Sequence, residues 1–181
     1  KGDAAFYGPK VDIIMKDSLG RDWQMGTIQL DFQIPQKFDL AYIDKNGKEK
    51  TPVVVHRVIY GSLERFIGIL IEHYAGAFPT WLSPVQAQVL PVSQKHSAHG
   101  KKVFNSLKDA GVRVELTESN ETLGKRIREG EMQKIPYLLV VGDKEIKSNS
   151  VAVRKRGKGD IGTIKLSSFI KSTKDEIAKR K

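Results

Sequence analysis

Residues 137–142 read YLLVVG, an apolar run without a charged residue. Such a run is typical of a strand buried on both faces, and this requires helices on both sides of a sheet. Helical patterns at 97–110, 122–133 and the chain end supply them. The order β-α-β-α-β-β-β-α predicts a small α/β domain with a mixed five-stranded sheet. The predicted strands are VQAQVLPV, VRVEL, YLLVVG, SVAVRKR and GTIKL.

The first half of the chain has a different pattern, mainly β with one helix. Strand-like residues 5–16, interrupted by Gly8-Pro9, and the strand WQMGTIQLDF flank the turn LGRD, which predicts an antiparallel pair. FQIPQKF is predicted as a loop, and Asn46-Gly47 predicts a hairpin turn before the strand segment EKTPVVVHRVIY. Apolar residues at 3–4 spacing predict a helix over residues 62–74.

Charge divides the chain in two. Residues 1–82 contain ten Lys/Arg and ten Asp/Glu, whereas residues 83–181 contain twenty-one and eleven, so the second half carries the whole net charge of +10. The stretch AGAFPTWLSP, rich in small residues, Gly and Pro, coincides with this change and is predicted to be a linker. A separate basic module indicates a polyanionic partner such as nucleic acid, and a solubilising surface is the alternative.

Several classes of protein are disfavoured. The chain has no cysteine, which excludes disulfides and cysteine metal ligands within it, and no apolar run approaches the ~18 residues of a membrane span. The absence of a basic, apolar leader favours a cytoplasmic location. No GxGxxG, P-loop, GxSxG or HExxH motif occurs, so a nucleotide site would be of another kind.

The stretch GSLERF, residues 61–66, places Arg65 in the first turns of the predicted helix. A cation is disfavoured there by a few tenths to ~1 kcal/mol, so the position needs a reason. One reason is an anion, since a helix start and a guanidinium together attract phosphate. The alternative is a surface arginine paired with Glu64 or Glu72. Gly61 would allow close backbone approach, and Ser62 could cap the helix.

Long blocks of the sequence resemble the threonyl-tRNA synthetases, a family of class II aminoacyl-tRNA synthetases. The blocks are FYGPKVDIIMKDSLGRDWQMGTIQLDF, HRVIYGSLERFIGILIEHYAGAFPTWLSPVQ, LLVVGDKE and VAVRKRG. GSLERF resembles the third class II motif, and the resemblance covers essentially the whole chain. It implies the C-terminal part of such an enzyme: residues 1–82 would be the end of the antiparallel catalytic sheet, and residues 83–181 the α/β anticodon-binding domain.

The resemblance also implies roles for individual residues. Arg65 would bind ATP and, with Gln24, belong to the catalytic residues. His56, which by strand alternation faces away from Val55 and Arg57, would be one of three zinc ligands, the other two lying upstream; without the resemblance it would be an ordinary strand histidine. The remaining substrate- or ATP-binding residues would be Tyr7, Lys10, Gln24, Thr27, Gln29 and Ser62. A period of two puts Gln24 and Thr27 on opposite faces unless a bulge intervenes at Gly26.

In the second half, the resemblance implies that Asn120, Glu145 and Arg154 read the anticodon. Asn and Glu hydrogen-bond base edges, and Arg forks onto guanine or stacks on a base. Without the resemblance, Glu145 would be a solvated turn residue. A further set of cations is expected to contact phosphates: Lys144, Lys147, Lys155, Arg156 and Lys158.

The implied activity is threonine–tRNA ligation: ATP activates L-threonine, and the threonyl group passes to the 3′ end of tRNA(Thr). Mg²⁺ with ATP, one Zn²⁺ per catalytic site and a homodimer in the complete enzyme are expected. The main alternative is a tRNA anticodon-binding module without catalytic activity of its own. A regulator that keeps the fold but lacks the chemistry, and a prolyl, histidyl or glycyl enzyme with the same module, are further alternatives.

Overall fold

The structure is a computed structural model that describes residues 5–180. The chain divides between His73 and Tyr74 into two units, a first unit up to His73 and a second unit from Tyr74. The division lies nine residues before the change in charge from which the sequence places a boundary at 82/83. None of the helices formed by the described residues has both the length and the apolar character of a membrane span.

The first unit contains an antiparallel three-stranded sheet in the order β1-β2-β5 and a separate two-stranded hairpin, β3-β4. The hairpin turn contains Asn46-Gly47, with Gly47 at φ 71°, and confirms the predicted turn. The elements are β1 (Lys10–Lys16), β2 (Asp22–Asp31), α1 (Ile34–Lys37), β3 (Tyr42–Ile43), β4 (Glu49–Lys50), β5 (Val54–Val58) and α2 (Leu63–His73).

One short helix in the first unit differs from the predicted loop. Asp31 Oδ1 accepts hydrogen bonds from the backbone N–H groups of Gln33 and Ile34, both at 2.9 Å, and Pro35 follows in the first turn. A carboxylate on free N–H groups and an early proline both favour a helix start. The segment FQIPQKF therefore contains the single turn α1 rather than a loop throughout.

The second unit contains a five-stranded mixed sheet in the order β10-β9-β8-β6-β7. The pairs β6–β7 and β6–β8 are parallel, and β8–β9 and β9–β10 are antiparallel, which confirms the predicted mixed sheet. The elements are β6 (Ala87–Pro91), α3 (Ser97–Asp109), β7 (Val114–Leu116), α4 (Leu123–Met132), β8 (Tyr137–Val141), α5 (Asp143–Ser148), β9 (Ser150–Lys155), β10 (Gly159–Lys165) and α6 (Leu166–Ala178).

The apolar run at 137–142 is buried as predicted, because both faces of β8 are covered. Tyr137, Leu139 and Val141 pack into the larger core with α3 and α6. Leu138 packs into a smaller core that includes residues of α4. Helix α5 was not predicted; the Glu145 carboxylate accepts from the Gly142 N–H at 3.0 Å and so stabilises its first turn. The predicted closing helix reaches residue 181, which lies outside the described residues.

The segment 74–83, called the strap below, packs on the second unit although its composition predicts a linker. Arg156 Nη2 donates to the Phe78 carbonyl at 2.6 Å and the Ala77 carbonyl at 3.2 Å. Arg113 Nη2 donates to the carbonyls of Trp81 at 2.7 Å and Ser83 at 2.8 Å. Carbonyl groups of the strap are thus held by guanidinium groups from distant parts of the second unit.

A polar cluster also ties the strap to β8, β9 and α6. Glu176 accepts from Thr80 Oγ1 at 2.7 Å and from the Tyr137 hydroxyl at 2.5 Å, and Lys155 Nζ donates to the same hydroxyl at 2.6 Å. Burial is the largest influence on the pKa of Glu176 and raises it, but the hydrogen bonds from Tyr137 and Thr80 and the nearby Lys155 outweigh it and lower the pKa. Glu176 is therefore an ionised carboxylate with three partners.

Candidate functional site

The first unit carries a connected row of polar side chains on β1 and β2. Asp12 accepts from Gln24 Nε2 at 2.7 Å and from Thr27 Oγ1 at 2.9 Å, and it lies 3.0 Å from Lys10 Nζ. Gln24 Nε2 also donates to Thr27 Oγ1 at 2.9 Å. The hydrogen bond from Lys10 is the largest of the influences that lower the pKa of Asp12.

A β-bulge explains why Gln24 and Thr27 share a face. The β1–β2 register shifts between Ile13 and Ile14, because Ile13 pairs with Gly26 and Ile14 pairs with Gln24. Met25 is therefore the extra residue, and the simple period of two is broken. Sequence analysis left both possibilities open, and the register decides for the shared face.

Arg65 reaches from α2 to this bulge. Its Nη2 donates to the Gln24 carbonyl at 2.8 Å, and its backbone N–H lies 3.4 Å from Ser62 Oγ. Gly61 has φ 65°, and a Cβ there would lie 2.4 Å from Arg65 Nη2. The glycine thus provides both the left-handed turn before α2 and the space for the guanidinium. No pairing of Arg65 with Glu64 or Glu72 is found among the described contacts; Glu72 pairs with Arg21 at 2.6 Å.

One open depression of about 360 Å³ collects most of the expected substrate residues. Its lining includes Gln24, Thr27, Gln29, His56 and Arg65, which come from β2, β5 and α2. Lys10 and Ser62 stand behind this lining, through Asp12 and the α2 start respectively.

Tyr7 lines a neighbouring depression of about 430 Å³, which shares Gln29 and His56 with the first. Its hydroxyl donates to Gln29 Oε1 at 3.0 Å. Tyr7 thus orients the amide of Gln29 between the two depressions.

His56 Nε2 lies 3.1 Å from Oδ2 of the buried Asp31. Hydrogen bonding by the Ile34 N–H is the largest influence on the pKa of Asp31, and together with His56 it keeps this pKa below the usual value. A carboxylate on one ring nitrogen is the usual outer partner of a zinc-binding histidine, and it leaves Nδ1 for the metal. His56 therefore fits the role of one zinc ligand.

A complete zinc site is another matter. Within residues 5–180, no group of three or more His, Cys, Asp or Glu side chains is placed to hold a metal ion. A zinc ion at His56 would need its remaining protein ligands from residues other than these.

In the second unit, part of the sheet face on the α4 side is uncovered. Arg154 pairs with Leu138, and Ala152 pairs with Val140, so these four side chains share that face. Val140 and Ala152 are half-buried, and Arg154 lies at one end of this strip. Glu145 follows the opposite end of β8, in the first turn of α5. The strip therefore has a cation at one end and a carboxylate at the other.

The three expected anticodon residues are not brought into direct contact. Arg154 Nη2 lies 3.2 Å from Glu131 on α4, and Arg154 lines a cavity of about 250 Å³ with Ile135 and Leu138. Asn120 lies in the loop before α4 and lines a different crevice. Their separation suits an extended single strand better than a small molecule.

Two of the five cations expected to contact phosphates bind the protein itself. Lys155 donates to Tyr137, and Arg156 to the strap. Lys144, Lys147 and Lys158 are exposed and remain candidates.

Sequence analysis did not single out Asp12, Asp31, Arg113, Tyr137 or Glu176. Asp12 could have been found, because it follows Lys10 by two residues on the same face of a predicted strand. The partners of the other four lie 25 or more residues away for at least one key contact, and no local signal indicates them.

The comparisons with known proteins agree with this architecture. Residues 1–74 match the family model of the class II tRNA synthetase core domain (G, H, P, S and T), and residues 86–176 match that of the anticodon-binding domain. A crystal structure of the RNA-binding domain of threonyl-tRNA synthetase from Cryptosporidium parvum Iowa II is 40% identical, with a TM-score of 0.86 over 97% of this chain and 44% of that chain. The chain thus has the parts of a class II aminoacyl-tRNA synthetase: a core segment followed by an anticodon-binding domain.

The curated relatives specify the family. A threonine–tRNA ligase from Carboxydothermus hydrogenoformans is 60% identical over the whole chain, and one from Caldanaerobacter subterraneus is 56% identical over 98% of it. The chain belongs to the threonyl-tRNA synthetase family, as its sequence motifs predict. It spans 28% of the length of these two relatives. A prolyl-tRNA synthetase from Cryptosporidium parvum, 22% identical with a TM-score of 0.74, shares the fold.

Proposed function

We propose that this chain forms part of a threonine–tRNA ligase, which joins L-threonine to tRNA(Thr) at the expense of ATP. The observation that carries the proposal is the depression lined by Gln24, Thr27, Gln29, His56 and Arg65. These are the residues for which the sequence motifs imply adenylate and zinc roles, and three separate elements bring them together. The basic second unit would bind the anticodon arm of the same tRNA.

Arg65 would stabilise negative charge during adenylate formation. One of its five N–H donors is used by the Gln24 carbonyl, and this bond fixes the guanidinium beside the depression. The remaining donors are available to phosphate oxygens, and the planar group can stack on a purine. Catalysis would then rest on a preorganised charge and on positioning, with Mg²⁺ accompanying ATP.

Gln24, Thr27 and Gln29 would position the substrate. Asp12 fixes Gln24 and Thr27, and Tyr7 fixes Gln29, so their hydrogen-bonding groups are held before a ligand arrives. Such preorganisation lowers the cost of ordering the site on binding.

His56 would hold zinc through Nδ1, while Asp31 fixes the ring through Nε2. A bound zinc ion with an open position would accept the amino and hydroxyl groups of threonine, and valine has no hydroxyl to offer. The part played by this chain is to orient the His56 ring.

The Arg65 assignment is tested in the complete enzyme by ATP–pyrophosphate exchange. Arg65→Ala should lose ~2–4 kcal/mol of transition-state stabilisation, the usual effect of removing one preorganised donor. Arg57→Ala is the matched control, because Arg57 is an exposed arginine on the opposite face of β5 from His56. Near-normal exchange by a folded Arg65→Ala enzyme would refute the assignment.

The zinc assignment is tested by metal analysis of the complete enzyme. His56→Ala should remove zinc and weaken discrimination against valine, whereas His73→Ala on α2 should leave the metal content unchanged. A His56→Ala enzyme that retains one zinc per chain would contradict the role.

The anticodon assignment is tested with stem-loops titrated across a salt series. Arg154→Ala or Glu145→Ala should weaken the threonine anticodon by ~1–3 kcal/mol and other anticodons much less. Lys158→Ala should weaken all loops alike and flatten the salt dependence. If Arg154→Ala affects matched and mismatched loops equally, Arg154 contacts only phosphate.

A second candidate function is RNA binding without catalysis by this polypeptide alone. It is favoured by the observation that the chain spans only 28% of its relatives. ATP–pyrophosphate exchange by the 181-residue chain separates the two functions, since a pure binding module shows none. The domain limits 1–82 and 83–181, the homodimer and the cytoplasmic location stay predictions.

A further inference from the structure

The carboxyl edge of β6 has the topology of a ligand site. Strand β6 lies between the parallel strands β7 and β8. The crossover through α3 packs on the larger core, and the crossover through α4 packs on the smaller core. These cores lie on opposite faces of the sheet, so the chain leaves the two crossovers in opposite directions. Crevices at such a switch point are where open α/β sheets bind ligands.

A crevice of about 600 Å³ opens at this edge. Its walls are the turn from β6 into α3 and the loop between β7 and α4, and its floor includes Pro91 and Leu116. The volume lies within the range of small-ligand sites, roughly 300–1,000 Å³. An apolar floor of this kind suits a flat ring.

The walls carry uncharged hydrogen-bonding side chains. They are Gln94 and Ser97 on one side and Thr117, Ser119 and Asn120 on the other. No Lys or Arg is among the lining residues, and the charged residue present is an acid, Glu118. This chemistry disfavours phosphate and favours a base edge, because an amide side chain offers one donor and one acceptor side by side.

The wall that carries Gln94 and Ser97 is held rigidly. The buried His96 accepts the Ser93 N–H on Nδ1 at 3.1 Å, which fixes the turn between the two residues. Helix α3 also approaches β6 closely, since a Cβ on Gly100 would lie 2.7 Å from Pro91 Cγ. A preorganised wall discriminates between bases better than a mobile one.

We infer that this crevice receives one unstacked base of the anticodon loop, with Gln94 and Ser97 reading its edge from the wall opposite Asn120. The inference rests on the proposed anticodon function of the second unit and adds two specificity residues to it. Sequence-specific recognition of RNA commonly uses splayed bases that bind in this way. Lysines outside the crevice would hold the phosphates.

The test uses the 181-residue chain and four stem-loops: the intact threonine anticodon loop and three loops with an abasic residue at each anticodon position in turn. The variants are Gln94→Leu, Ser97→Ala and both together. The double variant should bind the intact loop about 5- to 100-fold more weakly. Against one abasic loop it should bind as the wild type does, since the base that Gln94 and Ser97 contact is missing there. Its salt dependence should equal that of the wild type, because no phosphate contact is removed.

Asn105→Leu is the matched control, because Asn105 is an exposed amide on α3 that does not line the crevice. Should the double variant fold poorly by circular dichroism, Gln94→Leu alone decides, since Gln94 is exposed and packs in neither core. An equal loss against all four loops, or a loss of less than twofold against the intact loop, overturns the inference. If the wild-type chain itself fails to distinguish the threonine loop from an unrelated loop, the proposed anticodon function has failed instead.

Discussion

Replacing Arg156 by alanine should release the strap from the second unit. Arg156 follows β9 and donates from Nη2 to the carbonyls of Ala77 and Phe78 and from Nη1 to the carbonyl of Lys134. Burial lowers the pKa of Arg156, but guanidinium groups stay protonated in proteins, so all three bonds come from a charged donor. The substitution removes one donor group that closes two loops of the unit at once.

The size of the effect follows from these contacts. The two bonds to the strap are partly buried, and the bond to Lys134 is exposed. At about 1.5 kcal/mol for each partly buried charged bond and about 0.5 kcal/mol for the exposed one, the loss is roughly 3 kcal/mol. Arg156→Lys should recover less than half of this, because an ammonium cannot fork onto adjacent carbonyls.

Urea unfolding measures the loss. Trp81 lies in the strap, so its fluorescence in a Trp23→Phe background reports on this segment. With a slope of about 1–3 kcal/mol per molar urea, the midpoint should fall by roughly 1–3 M. Lys158→Ala, two residues away and exposed, should change the free energy of unfolding by less than about 0.5 kcal/mol. A loss below about 1 kcal/mol for Arg156→Ala would show that other contacts hold the strap.

Three other outcomes are expected. The pKa of Glu176 is lowered in the folded state, so its contribution to stability is present above the unfolded value near 4.5 and is lost as the pH falls through the folded pKa; Glu176→Gln should flatten this acid limb in pH-dependent unfolding, and an unchanged limb would exclude Glu176 as its source. Gly61→Ala should displace Arg65 and cut pyrophosphate exchange at least tenfold in the complete enzyme, because Cβ would clash with the guanidinium; full activity would mean that the turn relaxes freely. Asp31→Asn should weaken zinc binding about 10–100-fold through loss of the His56 orientation, as measured by competition with a chelator, and an unchanged affinity would remove Asp31 from the site.

The parts of the fold that depend on short-range patterns were predictable. The continuous apolar character of β8 indicated a covered strand, and the helical patterns on either side supplied the covering layers. Asn46-Gly47 fixed a hairpin because few other dipeptides accept its backbone conformation. These signals act over a few residues, so one sequence suffices to detect them.

The strap was not predictable, because its structure depends on contacts far along the chain. Small residues, Gly and Pro are typical of a linker, and composition alone cannot distinguish a free linker from one held by guanidinium groups. Arg156 lies 78 residues from Phe78. Helix α5 escaped for a related reason: its first turn depends on the Glu145 carboxylate accepting from Gly142, and six residues give too little periodicity to detect.

The candidate site was predictable in its residues and not in its geometry. Motif resemblance named Gln24, Thr27 and Arg65, but the bulge at Met25 that unites them is set by strand register. The apolar spacing of α2 likewise indicated an apolar face and left open what covers it. In the structure Leu63 and Ile67 are more than half exposed. Among the described residues of the first unit, Met25 is the one buried hydrophobic side chain other than proline.

The strap has a consequence for exchanging anticodon modules between synthetases. A graft that begins at Ser83, where the charge changes, would leave behind the carbonyls of Ala77, Phe78 and Trp81. The guanidinium groups that bind them would travel with the module and lose their partners. A transferable module therefore starts at Tyr74, and a chimera joined there carries its own strap with it.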